Sequence, residues 1–521
     1  MQLPPDYWFL HVARATDLHG TDRVLYRFFE MLPGILSIST LALFVALAFW
    51  QPVFAAYLTI FFAAYWLFKT MYLSVHLRHN FKRLQHNLRV DWNAKLQDLY
   101  ATGKENNLVH MVMLPFYDES FEVLSESLRS YTAARWDSKN VIVVLAAEAR
   151  SPNGRETAER LKQTFGDQFL ACVVSVHPAG LPGDIPGKGS NLSFAAEVAR
   201  VEALDRLAIP YENVVVSAFD SDTVVYPDYF SCLSWYVLEC ENKFRTSFQP
   251  VPLFNNNIWE APMLSRVMGY SSSFWQMIQQ ERPEKLATFS SHAVIFKTLY
   301  DANYWQRNVV SEDSRIFWNL FARFDGDYKV VPMAYPVSMD ANAASTLGRT
   351  IVNIYKQHRR WTYGAENIAY ILFASLKNPR IPFWKKVRAN AVQIEGFWSL
   401  VAHPLILFAI GWLPLLVGGA AFHSTVLSYN LPLVAKSFLT TSMLGLVVSA
   451  AISMSLIPDH PLRKSRTRRA AMVVQWLLVP MTMVVFSSIP GLESQIRLML
   501  GRYLGFWVTP KNRQQALGNR Q

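Results

Sequence analysis

The chain has 521 residues, of which 51% are hydrophobic, and its formal net charge is +11 at pH 7. A mean hydropathy of +0.11 is high for a purely water-soluble protein and low for one that lies wholly within a membrane. The basic residues concentrate beside apolar stretches, which favours a membrane protein over a nucleic-acid-binding one. The three cysteines form no C-x-x-C pair and no even set, which argues against a cysteine metal site and predicts a reducing compartment.

Five apolar stretches are each near the roughly 20 residues that a helix needs to cross a bilayer. The first two are separated by little more than Gln51 and Pro52 and predict a helical hairpin, because the first is too long and too deep in the chain for a signal-peptide core. Any one stretch could be a buried soluble helix, but five in two clusters predict membrane helices. In chain order they are Leu32–Trp50, Val53–Val75, Phe397–Phe422, Ser437–Ile457 and Ala470–Ile489.

Clusters of arginine and lysine flank these stretches, and such clusters tend to stay in the cytoplasm. They predict an integral protein of the cell (inner) membrane whose region from Arg78 to Arg388 is cytoplasmic. Five strict crossings would place the C-terminus outside. Because Gly491–Trp507 is amphipathic and basic, and the third stretch contains Pro404 and Pro414, both five and six crossings stay open. The flanking residues are Arg14, Arg23, Arg27, Arg78, Lys82, Arg83, Arg89, Lys385, Lys386, Arg388, Arg463, Lys464, Arg466, Arg468 and Arg469.

The polar region between the two clusters alternates between strand and helix patterns. Two apolar, β-branched runs, Leu108–Leu114 and Val141–Leu145, flank a segment with helical spacing, Ser120–Ala134. A further apolar run, Asn213–Phe219, ends at Asp220. This alternation predicts a parallel sheet flanked by helices, with ligands at the carboxyl ends of the strands.

Three short motifs follow in order. Asp220 and Asp222 end the last apolar run on one turn, which suits Mg²⁺ or Mn²⁺ but is also typical of a turn rich in hydrogen-bonding aspartates. Glu312 and Asp313 follow Ser311 and precede a helical segment, so they could simply be the acids of a capped helix N-terminus. The third motif, Gln357, Arg360 and Trp361, stands at i, i+3 and i+4, on one face of a helix that could also be a basic helix at a membrane surface.

The order D-x-D, E-D and Q-x-x-R-W, ahead of membrane helices, resembles that of the membrane-embedded glycosyltransferases of family 2, which include the cellulose, chitin and hyaluronan synthases. Pro115 to Glu119 resembles the family's strand end beside the nucleotide, and Gly187 to Asn191 resembles its lysine-bearing turn. The resemblance covers roughly Leu32 to Lys511, including the tail Val508 to Lys511. It implies an α/β domain of the GT-A type inserted between transmembrane helices, two before it and about three after it.

The resemblance also implies a role for each motif. Asp313 is expected to be the general base, Asp220 and Asp222 to hold Mg²⁺ or Mn²⁺, and Glu312 to raise one pKa of the acidic pair. Arg360 and Gln357 are expected at the departing diphosphate, and Trp361 under an acceptor sugar. The donor site is expected to comprise Tyr117, Glu119, Glu148, Lys188 and Asp220, and the acceptor site Trp361, Phe289, Ser290, Ser291 and Glu312.

One departure from the family concerns the nucleoside base. The family's second strand ends in an aspartate that contacts the base, whereas here Glu148 follows a residue or two later. The base therefore stays open, with UDP as the default. His292, in the acceptor-side segment, is expected to be a hydrogen-bonded wall residue and not a catalyst.

These features together predict four regions and a membrane-bound enzyme. The regions are an N-terminal helical hairpin (residues 1–77), a cytoplasmic GT-A domain (78–345), interfacial helices (346–394) and C-terminal membrane helices with a tail (395–521). We expect a nucleotide-sugar donor, membrane lipids as neighbours, no nucleic acid, and processive polysaccharide synthesis. Single transfer to a lipid or lipid-linked acceptor is the alternative, whereas a scaffold or transporter with a degenerate domain should have lost Asp220, Asp222 and Asp313.

Overall fold

A computed structural model describes residues 5–104, 107–458 and 466–508. Arg463 and Lys464 of the predicted basic loop, and residues 509–511 of the predicted tail, lie outside the described residues. The strands are β1 (Val109–Pro115), β2 (Val141–Glu148), β3 (Ala171–His177), β4 (Val214–Ala218), β5 (Val224–Val225), β6 (Thr246–Phe254), β7 (Ala293–Ile295) and β8 (Lys329–Met339). The α-helices of the described residues are α1 (Gly20–Trp50), α2 (Pro52–Asn87), α3 (Trp92–Ala101), α4 (Phe121–Thr132), α5 (Gly154–Phe165), α6 (Lys188–Ala199), α7 (Tyr229–Glu239), α8 (Met263–Gln280), α9 (Phe296–Asp301), α10 (Glu312–Arg323), α11 (Leu347–Thr362), α12 (Glu366–Lys377), α13 (Phe383–Phe408), α14 (Leu413–Val417), α15 (Gly419–His423), α16 (Val426–Ser442), α17 (Leu444–Leu456), α18 (Arg466–Val474), α19 (Val479–Thr482) and α20 (Ile489–Met499).

The eight strands form one sheet in the order β3-β2-β1-β4-β7-β6-β8-β5. Strands β1 to β4 are parallel, as the alternation of strands and helices predicts. The other half is mixed, because β7 runs antiparallel to both β4 and β6 while β8 runs parallel to β6. The sequence patterns did not predict this second half, since β7 has only three residues and β5 only two.

Helices cover both faces of the parallel half. Side chains alternate along β1, so Met111 and Met113 belong to one buried cluster with residues of α6, α10 and α12, while Val112 and Leu114 belong to another with residues of α4, α5 and α7. Every residue of β2 is buried, as expected for a strand covered on both faces. This packing brings the carboxyl ends of β1, β2 and β4 to one edge of the sheet.

Five helical stretches are long and apolar enough to cross a membrane, by length and composition. Two precede the sheet and three follow it: Gly20–Trp50, Pro52–Asn87, Phe383–Phe408, Val426–Leu456 and Ala470–Met499. Only 28% and 22% of the most apolar windows of α1 and α2 are buried inside the protein, so most of their apolar side chains face outward. Such surfaces are stable in lipid and costly in water, which indicates a membrane protein.

Three helix boundaries differ from those expected from hydropathy: the end of α2 and both ends of α13. Helix α2 continues to Asn87, past the predicted region boundary at residue 77, because its polar last turns pack on the sheet domain. Helix α13 begins at Phe383, so Lys385, Lys386 and Arg388 lie inside it and not before it. It ends at Phe408, where the backbone of Ala409 leaves the helical region (φ −129°, ψ −78°), so the predicted third stretch is broken into α13 and the short helices α14 and α15.

Candidate active site

Lys188 is the centre of the candidate site. It begins α6, is 9% exposed, and its Nζ lies 2.6 Å from Asp220 Oδ1 and 3.0 Å from Asp313 Oδ1. Burial alone would lower the pKa of Lys188, but the carboxylates of Asp220, Asp313 and Glu312 outweigh it, and the pKa is raised. Lys188 is therefore a fixed cation that joins two of the three sequence motifs.

The two aspartates of the D-x-D turn face different neighbours. Asp220 is 29% exposed, and its Oδ2 accepts a hydrogen bond of 2.9 Å from Ser290 Oγ. Asp222 is fully buried, and its Oδ2 accepts from the backbone N–H of Asp340 at 2.9 Å. Asp220 therefore opens towards the cleft, whereas Asp222 also ties the turn to the end of β8.

Asp313 lies in the first turn of α10, and its carboxylate is 25% exposed. Thr288 Oγ1 donates to the backbone oxygen of Asp313 at 2.6 Å, and His292 Nδ1 lies 3.8 Å from Asp313 Oδ1. Burial lowers the pKa of His292. Because Trp305 Nε1 donates to His292 Nε2 at 3.2 Å, the proton of the neutral imidazole is on Nδ1, which donates to the Phe289 carbonyl. His292 therefore has the hydrogen bonds that the sequence predicts, while its having no catalytic role stays a prediction.

Glu312 is buried beside Asp313. Burial, followed by the like charge of Asp313, raises the pKa of Glu312 to about 8, against the opposing effect of Lys188 and Arg360. The crowding that the sequence predicts for this acidic pair therefore falls on Glu312, whose pKa is raised, while Asp313 is the partly exposed member of the pair.

The third motif lies on α11, where Arg360 has different neighbours from Gln357 and Trp361. Gln357 and Trp361 line one small cavity together with Phe254, and Gln357 Oε1 accepts from Asn342 Nδ2 at 3.2 Å. The Trp361 ring is 38% exposed. The charge of Arg360 lowers the pKa of Glu312, and its guanidinium lies over the ring of Phe506, 4.5 Å from the ring centroid.

The segment after α20 runs across the site, and sequence patterns did not single out its aromatic residue. A Cβ atom on Gly187 would lie 2.7 Å from Cγ of Phe506, so this ring packs directly on the glycine that precedes Lys188. Any larger residue at this position would push the ring away. Phe506 therefore stands between the lysine-bearing turn and Arg360.

The predicted donor residues at the ends of β1 and β2 are already engaged with the protein. Glu119 accepts from Tyr117 N at 2.7 Å and from Ser221 Oγ at 2.9 Å, which ties the end of β1 to the D-x-D turn. Glu148 is 4% exposed and forms an ion pair with Arg150, whose guanidinium lies 5.4 Å from the ring centroid of Tyr117. Glu148 is the last residue of β2, and not a residue beyond it as the sequence suggests.

The predicted acceptor segment lies between Asp220 and Asp313. Phe289 is held by its N–H, which donates to Gln249 Oε1 at 2.8 Å, and Ser290 contacts Asp220 as described. Ser291 is fully buried with a positive φ of 68°, and its N–H donates to the Ala218 carbonyl at the end of β4. The segment thus lines the cleft through Phe289 and Ser290, with Ser291 as an anchor.

Two further residues next to the site were missed by sequence reasoning. Glu366 and Asn367 open α12 and hold the segment from Val310 to Arg315 through buried hydrogen bonds. The prediction that Ser311 caps its own helix is wrong in its detail, because its side chain makes no bond to α10 and donates to Glu366 instead. The signal available in the sequence was a polar pair, Glu366-Asn367, directly before the apolar run Ile368–Ala374.

The donor set fits a divalent cation that takes its remaining ligands from a substrate. Mg²⁺ is commonly held by one or two carboxylates together with phosphate oxygens and water. Asp220 offers an oxygen to the cleft, and Asp222 follows two residues later on the same turn. In the part of the chain that the structure describes, no group of three or more His, Cys, Asp or Glu could hold an ion by itself.

Comparisons with known proteins identify the family. A family model described as glycosyl transferase family group 2 matches residues 215–487, which is more than half of the chain. Matching solved structures include a mannosyltransferase from Pyrobaculum calidifontis, PcManGT, in complex with GDP-Man and Mn²⁺ (13% identity, 80% of this chain and 99% of that chain, TM-score 0.41). Another is residues 1–349 of S. aureus TarS with UDP-GlcNAc (11% identity, 72% of this chain and 91% of that chain, TM-score 0.36). A search of curated protein sequences gives no match. By the match of its family model, the chain is a glycosyltransferase and belongs to glycosyl transferase family group 2.

Proposed function

We propose that the protein is a membrane-bound inverting glycosyltransferase that adds sugars from a nucleotide-sugar donor to a growing polysaccharide, as the cellulose and chitin synthases do. One observation carries this proposal: Lys188 contacts both Asp220 and Asp313, at 2.6 and 3.0 Å. A cation for the donor diphosphate and a carboxylate for the acceptor hydroxyl thus share one cleft.

Asp313 is the proposed general base. It takes the proton from an acceptor hydroxyl as the hydroxyl oxygen bonds to the anomeric carbon and the bond from that carbon to the diphosphate oxygen breaks. This single displacement inverts the anomeric carbon. Glu312 is buried, and its pKa is raised by burial and by the charge of Asp313, so it is not proposed as a second base.

The leaving diphosphate is the proposed partner of Lys188, Arg360 and a metal ion. Asp220 and Asp222 are the proposed protein ligands of Mg²⁺ or Mn²⁺, which neutralises diphosphate charge when bound. Lys188 neutralises Asp220 and Asp313 before the donor binds, and its ammonium suits a phosphate as a point charge. Arg360, stacked on Phe506, has a planar guanidinium that suits two phosphate oxygens.

The donor's nucleoside is proposed to lie at the ends of β1 and β2, near Tyr117, Glu119 and Glu148. The Tyr117 ring, with Arg150 over it at 5.4 Å, offers a flat surface for a base. UDP stays the default nucleotide, since Glu148 is held by Arg150 and does not by itself select a base.

The acceptor is proposed to lie on Trp361, with Gln357, Phe289 and Ser290 beside it, while Glu312 and the buried Ser291 act through their neighbours. The membrane helices support a polysaccharide acceptor, because α13 adjoins this surface. A Cβ on Gly364, three residues after Trp361, would lie 3.2 Å from the Phe397 ring of α13. A product leaving Trp361 would therefore meet helices that are long and apolar enough to cross a membrane.

The four regions predicted from the sequence remain part of this proposal, with the sheet domain and α11 on the cytoplasmic side of the cell (inner) membrane. Nucleotide sugars are made in the cytoplasm, and the basic residues that follow α2 and begin α13 favour that side. The acceptor, the lipids and the side of the C-terminus belong to the proposal as well.

A second candidate function is single transfer to an anionic lipid-linked acceptor, and one cluster of cations favours it. Lys69 of α2 has its Nζ 3.5 Å from Glu395 of α13, and Arg282 lies 5.7 Å from the Tyr72 ring centroid. Burial and then the neighbouring Arg282 lower the pKa of Lys285, so these cations crowd one another.

This cluster adjoins both the apolar helices and the catalytic cleft. Thr288, only three residues after Lys285, donates to the backbone oxygen of Asp313 at 2.6 Å. Three residues span at most about 11 Å, so a lipid phosphate at Lys285 would hold its attached group near Asp313.

Product analysis separates the two functions. Purified protein in lipid vesicles is incubated with a panel of radiolabelled nucleotide sugars and Mg²⁺ or Mn²⁺, and the product is sized and tested for extraction into organic solvent. A long, water-soluble glycan supports polysaccharide synthesis, and one sugar on an extractable lipid supports single transfer. No transfer from any nucleotide sugar would overturn both.

A further inference from the structure

One oxygen of Glu366 holds the turn that leads into the Asp313 helix. Glu366 is 5% exposed, and its Oε1 accepts three hydrogen bonds: from Val310 N at 3.1 Å, from Ser311 N at 3.0 Å and from Ser311 Oγ at 2.7 Å. Hydrogen bonds to a buried charged acceptor are stronger than neutral ones. The turn from Val310 to Ser311 is therefore fixed by a residue of another helix.

Asn367 fixes the next turn of the same segment. Its Oδ1 accepts from Arg315 Nε at 2.6 Å, and its Nδ2 donates to Ser314 Oγ at 2.9 Å. Arg315 is fully buried, with its guanidinium 4.2 Å from the centroid of the Tyr370 ring. Glu366 and Asn367 thus form hydrogen bonds to residues before and after Asp313 in the chain, Ser311 and Ser314.

The same two residues are joined almost directly to the acceptor helix. Glu366 follows Trp361 by five residues, and only the buried turn Tyr363–Ala365 separates α11 from α12. Helix α11 is itself held by α20, since Ser494 Oγ donates to the Arg359 carbonyl at 2.7 Å. The short chain segment from Trp361 to Glu366, together with the hydrogen bonds of Glu366, therefore connects α11 to the turn before Asp313.

We propose that Glu366, assisted by Asn367, is a positioning residue that sets the place of the Asp313 carboxylate relative to Arg360 and Trp361. This role rests on the proposed function of Asp313 as the general base. Glu366 touches neither substrate nor metal in this role. It acts by keeping the Asp313 carboxylate, two residues after Ser311, at the distance from an acceptor on Trp361 that proton transfer requires.

Packing of α12 against α10 does not by itself require the hydrogen bond from Ser311 to Glu366. Ser311 occupies the N-cap position of α10, where a serine side chain normally accepts a hydrogen bond from its own helix. Here its hydroxyl instead donates to Glu366. The start of α10 is thereby held by α12 as well as by the hydrogen bonds within α10. At the opposite end of α10, Asn378 Nδ2 donates to the Ala322 carbonyl at 2.9 Å, which is a packing bond of similar kind far from Asp313.

That second bond supplies a matched control. Full-length Glu366→Ala, Glu366→Gln and Asn378→Ala proteins are compared with the wild type in lipid, and kcat and the donor KM are measured per folded molecule. The ratio of sugar transfer to acceptor over hydrolysis of the nucleotide sugar is measured as well. Glu366→Ala removes three hydrogen bonds to the residues before α10, and Asn378→Ala removes three hydrogen bonds near the other end of α10, to Ala322, Asp325 and Arg380, so both are expected to lower the thermal midpoint.

The expected results differ in catalysis. Glu366→Ala lowers kcat by roughly 10- to 100-fold with little change in donor KM, because a displacement of about 1 Å at a reacting group costs on that order. Its transfer-to-hydrolysis ratio also falls, since small water molecules reach a displaced base more easily than a bound sugar. Glu366→Gln keeps an acceptor oxygen and recovers most of kcat, and Asn378→Ala leaves kcat and the ratio at wild-type values.

Two outcomes would overturn this role. If Glu366→Ala and Asn378→Ala behave alike in kcat and in the ratio, Glu366 is a packing residue only. If Glu366→Ala fails to fold, Ser311→Ala, which removes one of the three bonds, must reproduce the fall in the ratio or the role is excluded. Asp313→Asn serves as the reference: its retaining full transfer would refute the base assignment itself, whatever Glu366 does.

Discussion

The ammonium of Lys188 lies between Asp220 and Asp313, 2.6 Å from the first carboxylate and 3.0 Å from the second. The two aspartates are 93 residues apart in the chain, one after β4 and the other in α10. One buried cation thus joins the proposed metal site to the proposed base. The donor diphosphate is expected to take over part of this contact when it binds.

The proposed base can be separated from the donor site by one substitution. We expect Asp313→Asn to leave donor binding largely intact and to lower turnover by about two to four orders of magnitude, the usual contribution of a positioned base. Binding is measured by titration with the nucleotide sugar, and turnover by transfer to acceptor. A loss of donor affinity with unchanged turnover would move Asp313 to the nucleotide site.

The metal prediction concerns Asp222. Asparagine keeps an oxygen that can accept from the Asp340 N–H, so Asp222→Asn is expected to stay folded in the membrane. It loses the negative charge that a divalent ion requires, so transfer is expected to be abolished. Transfer is measured with added Mg²⁺ or Mn²⁺ and with EDTA. Activity that survives both the substitution and EDTA would rule out the metal-bridged mechanism.

The acceptor prediction concerns Trp361, which is 38% exposed. An aromatic surface binds a sugar ring by apolar contact and still allows it to slide. We expect Trp361→Ala to reduce polymer yield and to shorten the product while hydrolysis of the nucleotide sugar continues. Product length is read by gel or size-exclusion chromatography. Trp275→Ala is the control, since this ring is also exposed but lies on α8.

The stability of the protein is expected to depend on Glu312. Burial and the charge of Asp313 raise its pKa from 4.5 to about 8, so between these values the folded protein holds a proton that the unfolded chain has released. The free energy of unfolding therefore falls as the pH rises through this interval and levels off above it. Thermal midpoints of the metal-free protein are measured across the interval for the wild type and for Glu312→Gln, which should show a flatter profile. An exposed control, Glu159→Gln, should retain the wild-type slope; a Glu312→Gln slope equal to it would refute the shift.

Elements that depend on a local residue pattern could be predicted from the sequence. Alternation of β-branched runs with helical spacing predicted β1, α4, β2 and β4 to within a few residues, because a strand buried on both faces must be apolar along its whole length. The five apolar helices were predicted because each apolar stretch is about as long as a helix that crosses a bilayer, although the third helix begins earlier than predicted, at Phe383. The sequence also predicted a family 2 glycosyltransferase, which the family model confirms, whereas the roles given to the motifs stay predictions.

Contacts between residues that are distant in the chain could be seen only in the tertiary structure. Nothing in the spacing of Glu366 and Ser311, 55 residues apart, indicates that they share two hydrogen bonds, and nothing near Phe506 shows that it packs on Gly187. It also decided that Asp222 is buried while Asp220 faces the cleft. Such pairings depend on how helices pack across the sheet, and packing is set by the whole set of buried surfaces and not by any one segment.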